Sequence, residues 1–358
     1  MSADKRVLLV IADGSRSGGP EHVLTLASEL ARAGWEPLVA CTEGGLAQRC
    51  RAEGLAAAEL AMAGRGWLVA PVQLRQLGRR WRAAIWHSHG LRAGALARRA
   101  HPGVPLVHTH HLDGWFTASR SRIVAHRREL RALGRACSLQ IAVSNSVAEF
   151  LSGEGGADPR RLRVIPNGIH PLEGNLRARP RARTAGLLAR LTESKGADVA
   201  VLALGTPAGR RLRLRVGGQG PQLSALVDLA AASGVADRVD FVGEVRDRQG
   251  FLDSLDVAWV PSRAEPFGLV ACEAMSAGVP VVASRVGGLV EILEPPRFGL
   301  AVNPANPAAL ASVTAGLLED EERYSELSAA GPARVRQRYT AARMAALVRG
   351  VYWELLEA

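Results

Sequence analysis

The chain has 358 residues, of which 47% are hydrophobic and 4% aromatic, so it is long enough for two domains with substantial cores. A formal net charge of +11 is compatible with nucleic acid, an anionic membrane or an anionic substrate as partner. The arginines are scattered and few aromatic residues accompany them, which disfavours a nucleic-acid-binding surface and favours a generally arginine-rich surface.

Cysteine usage and apolar run length bear on the cellular compartment. The four cysteines show no CxxC spacing and stand at Cys41, Cys50, Cys137 and Cys272. A chain of this length needs no disulfide scaffold, so we expect reduced and mostly buried thiols. The sequence shows no signal-peptide pattern, and no apolar run approaches the ~20 residues that a membrane-spanning helix requires. We therefore expect a cytoplasmic protein, or at most a peripheral one.

Short, nearly continuous apolar runs, separated by amphipathic alanine-rich stretches, predict buried parallel strands joined by crossover helices. In the first half of the chain they cover residues 7–11, 37–41, 83–86, 105–107, 139–143 and 163–165. A second series covers residues 185–188, 212–216, 239–242, 257–260, 279–283 and 300–302. Two such series predict an α/β protein with two doubly wound, Rossmann-like domains.

Turn-forming residues place the boundary between the two predicted domains. Pro166-Asn167-Gly168 and the following stretch from Pro171 to Pro180 have linker composition. The last apolar periodicity, over residues 341–355, predicts one amphipathic helix. We expect an N-terminal domain over residues 1–170, a C-terminal domain over residues 171–340, and a terminal helix within residues 341–358.

Glycines follow several predicted strands and would let backbone approach a ligand closely. They are Gly18 and Gly19 in the first domain, and Gly217 and Gly243 in the second. An ordinary tight turn is the alternative for each. The first pair is not part of a G-x-G-x-x-G fingerprint, and no acidic residue ends the second strand, which disfavours dinucleotide binding.

Histidines cluster after two predicted strands, at His87, His89, His108, His110 and His111. Alternate residues of a strand share one face, so His108 and His110, with Asp113 nearby, also have the spacing of metal ligands. We favour packing roles for His87, His89 and His108. No metal site is expected for catalysis, because no Asp-x-Asp pair occupies a suitable loop.

Lys195 is one of only two lysines among 45 basic residues. Because the chain uses arginine elsewhere, a lysine here favours a compact point charge on a phosphate, with the preceding Arg190 as a second donor. A solvated surface lysine is the alternative interpretation.

Two glutamates, Glu265 and Glu273, stand eight positions apart around the turn-forming segment Pro266-Phe267-Gly268. The proline and glycine keep the first carboxylate in a loop, and the second then lies in the early turns of a helix. Carboxylates bind sugar hydroxyls, and the N–H groups at a helix start bind anions. The segment therefore predicts a site for a polyhydroxylated, phosphorylated ligand.

A basic helix is predicted over residues 120–135, with arginines at six positions. We favour a solvated helix face over contact with anionic lipid. The preceding loop, Asp113-Gly114-Trp115-Phe116, has aromatic residues that could stack on a ring of the ligand.

Nearly the whole chain resembles the retaining glycosyltransferases of family 4, which have the GT-B architecture of two doubly wound Rossmann-like domains facing a central cleft. The resemblance rests on Glu-x7-Glu at Glu265 and Glu273, and on R-L-x-x-x-K-G at residues 190–196. The Gly18-Gly19 loop supports it, and His111 stands at the position where the family has its active-site histidine. Further similar segments lie at residues 143–146, 164–168, 216–221 and 241–243.

The resemblance implies a hexosyl- or glycosyltransferase that uses a nucleotide-diphosphate sugar, most commonly a UDP-sugar, with retention of configuration. The donor is a co-substrate, and no cofactor is expected. The acceptor would be a small molecule, a glycan or a lipid-linked hydroxyl, held by residues 1–170. Residues 171–340 would hold the donor, and the terminal helix would pack back on the first domain.

The resemblance also implies roles for individual residues. Arg190 and Lys195 would stabilise the departing diphosphate, and Glu273 would accept hydrogen bonds from the ribose. His111 would hydrogen-bond the donor sugar, with His110 in its place if the register shifts by one. The remaining sugar contacts would come from Glu265 and from the backbone N–H groups of Phe267, Gly268 and Leu269.

Two other functions are compatible with the same residues. A sugar-nucleotide epimerase would need an acid/base pair, which Glu265 and His111 could supply, and would act on the donor without an acceptor. A non-catalytic basic binding protein would show no saturable binding of a nucleotide sugar.

Overall fold

The computed structural model describes residues 4–15, 17–100, 102–111, 120–174, 176–178, 180 and 182–358, with only the backbone for residues 120–123. These residues form two compact units. Unit 1 comprises Met1–His170 together with Ala341–Ala358, and unit 2 comprises Pro171–Thr340. Each unit is built on a parallel sheet flanked by helices, so the predicted fold class is confirmed.

Unit 1 contains, within its described residues, a seven-stranded parallel sheet. Its strands are β1 (Arg6–Ile11), β2 (Glu36–Cys41), β3 (Ala56–Glu59), β4 (Ile85–His89), β5 (Leu106–His110), β6 (Leu139–Ala142) and β7 (Leu162–Val164). They are arranged in the order β3-β2-β1-β4-β5-β6-β7. The connecting helices are α1 (Gly18–Arg32), α2 (Leu46–Ala52), α3 (Gly66–Trp81), α4 (Leu91–Ala100), α5 (Arg120–Ala136) and α6 (Asn145–Gly153).

Strand β1 shows why these apolar runs become doubly covered strands. Val7 and Leu9 pack into a core with α1, whereas Leu8 and Val10 pack on the opposite face with α3 and α4. Because successive strand residues point to opposite faces, a strand with helices on both sides must be apolar throughout. This requirement explains the continuous hydrophobic runs in the sequence.

The order of strands in unit 1 places a switch point between β1 and β4. The chain winds from β1 outward to β3 and then returns to β4 on the other side of β1. In open α/β sheets, ligands bind at the carboxyl ends of the two strands that flank such a point. In unit 1 these ends are Ile11 and His89.

Unit 2 repeats this plan with six parallel strands among its described residues. They are β8 (Thr184–Leu188), β9 (Arg213–Gly217), β10 (Val239–Gly243), β11 (Val257–Val260), β12 (Val281–Ser284) and β13 (Leu300–Val302), in the order β10-β9-β8-β11-β12-β13. The helices are α7 (Ala197–Leu204), α8 (Leu223–Ala232), α9 (Arg248–Asp253), α10 (Leu269–Ser276), α11 (Gly287–Leu293), α12 (Pro307–Glu319) and α13 (Glu321–Arg338). Its switch point lies between β8 and β11.

The last helix, α14 (Ala341–Leu356), belongs to unit 1. Met344, Val348 and Tyr352 join the core formed by α1 and β1. The Tyr352 hydroxyl lies 2.6 Å from Nδ1 of His87 on β4, so a buried hydrogen bond ties the end of the chain to the centre of the sheet.

Strand β3, Ala56–Glu59, was not predicted. It lies at the edge of its sheet and consists of alanines and a glutamate, which have low strand propensity, so its pairing with β2 decides its structure. Strands β4 and β5 also extend beyond the predicted apolar runs, to His89 and His110. Their polar side chains are accommodated because they bond to one another: Ser88 Oγ lies 2.8 Å from His108 Nδ1.

All four cysteines are free and buried, as expected. Burial raises the pKa of Cys41 and Cys50 to about 11 and that of Cys137 to about 12. These thiols therefore stay protonated near neutral pH and are poor nucleophiles.

Candidate functional site

The ammonium of Lys195 donates to the carboxylate of Glu265, with 2.7 Å between Nζ and Oε2. Ser262 Oγ donates to the same carboxylate oxygen at 3.2 Å. The side chain of Lys195 is 24% exposed and that of Glu265 is 11% exposed. Both charged groups are therefore partly shielded from water but still accessible to a ligand. Lys195 follows β8 and Glu265 follows β11, so the ion pair lies at the switch point of unit 2.

The turn that carries Lys195 is held against the loop after β11. At Gly196, which has a φ of +68°, a Cβ atom would lie 2.1 Å from the carbonyl oxygen of Pro261. Arg263 binds both carboxylate oxygens of Asp198, at 2.8 and 2.6 Å. Burial alone would raise the pKa of Asp198, but the bonds from Arg263 outweigh it and lower that pKa. The two loops are thus locked together, which fixes Lys195 relative to Glu265.

Arg190 lies in the exposed loop that follows β8. No acidic side chain in the described part of the chain forms an ion pair with it. Its neighbours are held by backbone hydrogen bonds, from Ala189 N to Gly217 O at 3.0 Å and from Leu191 N to Gln219 O at 2.8 Å. The loop is therefore anchored on both sides of Arg190, while the guanidinium stays available to a ligand.

The glycine-rich loop after β9 is required by packing within unit 2. A Cβ atom on Gly218 would lie 1.8 Å from the carbonyl oxygen of Ala189, and one on Gly217 would lie 2.7 Å from Val245. Gly243 accepts a hydrogen bond from Gly218 N at 2.7 Å and has a φ of +71°. Gly217 and Gly218 therefore let neighbouring loops meet closely beside Arg190, whereas at Gly243 the positive φ, and not close packing, favours glycine.

Phe267, Gly268 and Leu269 lead from Glu265 into helix α10. Gly268 has a φ of +117°, which glycine adopts most readily, and α10 begins at Leu269. Phe267 is 4% exposed, so its side chain is buried and does not offer a contact surface to a ligand. Gly288 N donates to Glu265 O at 3.0 Å. The loop is thereby fixed from a second side, and N–H groups at the start of α10 are left without partners inside the helix.

Glu273 lies on α10 and is 9% exposed. Its carboxylate pairs with Arg248, the first residue of α9. The two motif glutamates therefore contact different cations, Lys195 and Arg248. Sequence reasoning missed Arg248, because nothing distinguishes it from the many other arginines except its position after the helix-capping Asp247.

Gly18 and Gly19 begin helix α1 in unit 1, close to the end of β1. Gly19 lines a cavity of about 310 Å³ together with Ile11, Asp13, His89 and His111. The cavity lies at the switch point of this sheet. Unit 1 thus offers its own ligand-sized space where the topology predicts one.

Three histidines on the strands of unit 1 are hydrogen-bonded to neighbouring side chains, His87, His108 and His110. Both ring nitrogens of His87 are bonded, to Tyr352 and to Thr109, and His110 Nε2 lies 2.9 Å from Gln140 Oε1. The rings of His108 and His110 are 4.3 Å apart, as alternate residues of one strand should be. Asp113, proposed as their companion, and the loop to Phe116 lie outside the described residues.

His111 follows β5 and is only partly buried. Its Nε2 lies 3.5 Å from Nδ1 of His89, and its ring makes an edge contact with that of His22, with 4.8 Å between centroids. Burial lowers the pKa of His111 to about 4. The imidazole is therefore neutral at physiological pH and can donate or accept a hydrogen bond inside the cavity.

Comparison with known proteins assigns the family. Residues 16–171 match the family described as Glycosyltransferase Family 4, and residues 174–334 match Glycosyl transferases group 1. A D-inositol 3-phosphate glycosyltransferase of Thermobispora bispora is 32% identical over 308 residues, which cover 76% of this chain and 71% of the relative. The chain belongs to glycosyltransferase family 4.

Other proteins are similar over shorter stretches or at lower identity. A glycogen synthase of Mycobacterium tuberculosis is 34% identical over 276 residues, covering 72% of this chain and 66% of the synthase. This family 4 chain thus matches just under two thirds of that relative's length. The crystal structure of Anabaena HepE in complex with UDP-glucose has a TM-score of 0.85, with 21% identity, and covers 98% of this chain and 100% of HepE.

Within the described residues, no helix is both long and apolar enough to cross a lipid bilayer.

Proposed function

We propose that this chain is a retaining glycosyltransferase that moves a sugar from a nucleotide-diphosphate sugar, with UDP as the favoured base, to a hydroxyl group of an acceptor. The observation that carries the proposal is the contact between Lys195 and Glu265 at the switch point of unit 2. A cation beside a carboxylate matches a diphosphate joined to a sugar, since the phosphate needs positive charge and the hydroxyls need acceptors.

Family membership and the named relatives support the same class of reaction. Relatives with more than 30% identity are named as glycogen synthase and as D-inositol 3-phosphate glycosyltransferase. The HepE structure with UDP-glucose supports the choice of UDP as donor base. The acceptor, whether a small molecule, a glycan or a lipid-linked hydroxyl, stays a prediction, as does the cytoplasmic location.

The charge of the leaving group gives Lys195 and Arg190 their proposed role. Transfer breaks the bond between the anomeric carbon and a phosphate oxygen, so negative charge grows on the diphosphate. Fixed cations that meet this charge lower the barrier more than they stabilise the bound donor. An ammonium has three N–H donors, so Lys195 can keep its bond to Glu265 and still offer two to the phosphates.

The remaining contacts with the donor divide between its sugar and its ribose. Glu265 would hold sugar hydroxyls, together with the N–H groups of Phe267, Gly268 and Leu269. Glu273 would accept from the ribose hydroxyls, positioned by its ion pair with Arg248. In unit 1, we assign a hydrogen bond with the transferring sugar to His111, and a close backbone approach to the donor to the loop at Gly18 and Gly19. Neither a metal nor a cofactor takes part in this proposal.

A donor screen tests the proposal. UDP-, GDP- and ADP-sugars would be added to the protein and thermal unfolding followed. A ligand at one hundred times its Kd stabilises the native state by about 2.7 kcal/mol, which is readily measured. We expect a UDP-sugar to raise the unfolding temperature most. A chain that responds to no nucleotide sugar would contradict the proposal and favour a non-catalytic binding protein.

Reaction products separate transfer from epimerisation. The responding donor would be incubated alone and with candidate acceptors, and the anomeric configuration of the product read by NMR. We expect no epimer without acceptor, an unchanged anomeric configuration in the product, and an unchanged rate in the presence of a chelator. Epimerisation of the donor alone, or a strict need for Mg²⁺ or Mn²⁺, would contradict the proposal.

A further inference from the structure

Three imidazoles from three different elements converge beside the cavity of unit 1, which His89 and His111 line. His22 lies on α1, His89 ends β4, and His111 follows β5. One ring nitrogen of each lies within 4.8 Å of those of the other two. Residues that are distant in sequence therefore bring three potential metal-ligating atoms to one point.

Two of these rings are deeply buried and have ring nitrogens without a hydrogen-bond partner. His22 is 4% exposed and His89 is 2% exposed. Both nitrogens of His22 and Nε2 of His89 lack a hydrogen-bond partner of normal geometry in the described part of the molecule. Asn167 lies beside His22, yet its amide oxygen also has no such partner. Leaving buried polar atoms unbonded is costly, so an ion that binds one nitrogen of His22 would recover part of that free energy. One ion takes only one nitrogen of each ring, so Nε2 of His89 would stay unbonded when Nδ1 of the same ring binds the ion.

The protonation state of the three rings suits metal binding. Burial, together with the neighbouring imidazoles, lowers the pKa of His22 and of His89 well below the ordinary value. Burial lowers that of His111 to about 4. A neutral imidazole offers one lone pair to a metal ion, so these surroundings are compatible with the geometry of a metal site.

The distances fit a tetrahedral ion. Zinc–nitrogen bonds of about 2.0–2.1 Å in tetrahedral geometry place two ligand nitrogens roughly 3.4 Å apart. His111 Nε2 and His89 Nδ1 are 3.5 Å apart. A ring nitrogen of His22 lies within 4.8 Å of these two atoms, and the cavity of about 310 Å³, which His89 and His111 line, leaves room for a fourth ligand.

We propose that His22, His89 and His111 form a binding site for a divalent transition-metal ion of the Zn²⁺ type, with the fourth position open to the cavity. Imidazole nitrogen is a preferred ligand of zinc, whereas Mg²⁺ and Ca²⁺ require oxygen. The site is inhibitory, because an ion bound to His111 occupies the lone pair of the ring and fixes the ring's orientation. His111 is then no longer free to hydrogen-bond the sugar. The inhibitory role rests on the proposed glycosyltransferase function, whereas the binding site itself does not.

Cobalt(II) tests the binding site without reference to activity, because its visible absorption reports tetrahedral coordination directly. Co²⁺ would be titrated into the wild-type protein and into His22→Gln, His89→Gln and His170→Gln. His170 is outside the cluster and its side chain is 53% exposed, so it controls for binding at a surface imidazole. Far-UV circular dichroism without metal would show which variants fold, and His111→Gln replaces any buried variant that does not.

We expect one equivalent of tetrahedral Co²⁺ in the wild type and in His170→Gln, displaced by Zn²⁺. The affinity should fall by more than about tenfold in His22→Gln and in His89→Gln, since even a partner of a metal ligand has an effect of that size. Absence of tetrahedral Co²⁺ in the wild type, or equal binding by all variants, would overturn the site.

Transfer assays then test the inhibitory role. Micromolar Zn²⁺ should slow the wild type, a chelator should restore it, and His22→Gln should resist Zn²⁺ relative to its own metal-free rate. Tetrahedral Co²⁺ binding without any effect of Zn²⁺ on transfer would overturn the inhibitory role. If no transfer occurs with any donor, the proposed function fails, while the cobalt spectrum still decides whether the site exists.

Discussion

The Nζ atom of Lys195 lies 2.7 Å from Oε2 of Glu265, across 70 positions of sequence. The contact joins the loops that follow β8 and β11, the two strands between which the winding of unit 2 changes direction. It means that the cation assigned to the diphosphate and the carboxylate assigned to the sugar are positioned together before any donor binds. Such preorganisation lets charge stabilisation act without rearrangement during the reaction.

Replacing Lys195 tests the phosphate assignment. We expect Lys195→Ala to lower turnover by about 10²-fold or more, as for other donors lost from a transition state. Its unfolding temperature should change little, because a partly exposed ion pair contributes little to stability. Lys5→Ala, which removes the other lysine of the chain, serves as the control. A near-native rate at saturating donor in Lys195→Ala would contradict the assignment.

Gly218→Ala tests whether packing beneath Arg190 shapes the donor site. The new Cβ atom would lie 1.8 Å from the Ala189 carbonyl oxygen, at a φ of +124°. We expect the stability of unit 2 to fall by more than about 1 kcal/mol, and donor binding to weaken because the Arg190 loop must move. Denaturant unfolding and donor titration measure the two effects.

Gly234→Ala is the matched control for this change. Its φ of +65° is also positive, but nothing lies within 4 Å of the added atom. It should lose some stability from the backbone conformation alone and keep donor affinity. Equal effects of the two substitutions on donor affinity would show that the loop contact does not matter.

The histidines predict a pH dependence of stability that is confined to unit 1, since all nine histidines of the chain precede residue 171. Burial lowers the pKa of His87 to about 3 and those of His110 and His111 to about 4. In the unfolded chain each titrates near 6.5, so between pH 7 and pH 5 only the unfolded state gains protons. Stability should therefore fall as the pH falls, by at most about 1.4 kcal/mol per histidine per pH unit.

Hydrogen exchange followed by mass spectrometry measures this effect in each unit separately, after correction for the intrinsic pH dependence of exchange. Amides of the β4 and β5 strands should lose protection between pH 7 and pH 5. Amides of unit 2 should keep theirs, because carboxylates titrate mostly below this window. Equal loss in both units would mean that groups other than the buried histidines control stability.

Much of the fold follows from sequence because its causes are local. Short continuous apolar runs between amphipathic stretches favour doubly covered strands, and all but one of the thirteen strands in the described residues were predicted. Pro266 and Gly268 likewise placed Glu265 in a loop ahead of helix α10. The exception, β3, lacks an apolar pattern, and it forms a strand because its backbone pairs with the edge of β2.

The parts of the site that sequence did not reveal depend on contacts between distant elements. The role of Arg248 becomes visible only in the folded structure, where α9 and α10 come together and Arg248 forms an ion pair with Glu273. His22 was not singled out, because a lone histidine on an amphipathic helix usually packs in a core. Only the order of strands in the sheet shows that α1 brings it to His89 and His111.

The central claim is that the two motif glutamates have different roles, Glu273 binding the ribose and Glu265 binding the transferred sugar. Free UDP tests this claim most directly, because UDP has the ribose but lacks the transferred sugar. Its Kd would be measured by calorimetry for the wild type, Glu273→Gln and Glu265→Gln. Glu273→Gln should weaken UDP binding and mainly raise the donor KM, because a ribose contact is shared by ground and transition states. Glu265→Gln should leave UDP affinity unchanged, or tighten it since Lys195 loses its carboxylate partner, and should mainly lower kcat. Equal loss of UDP affinity in both variants, or loss in Glu265→Gln alone, would contradict the account.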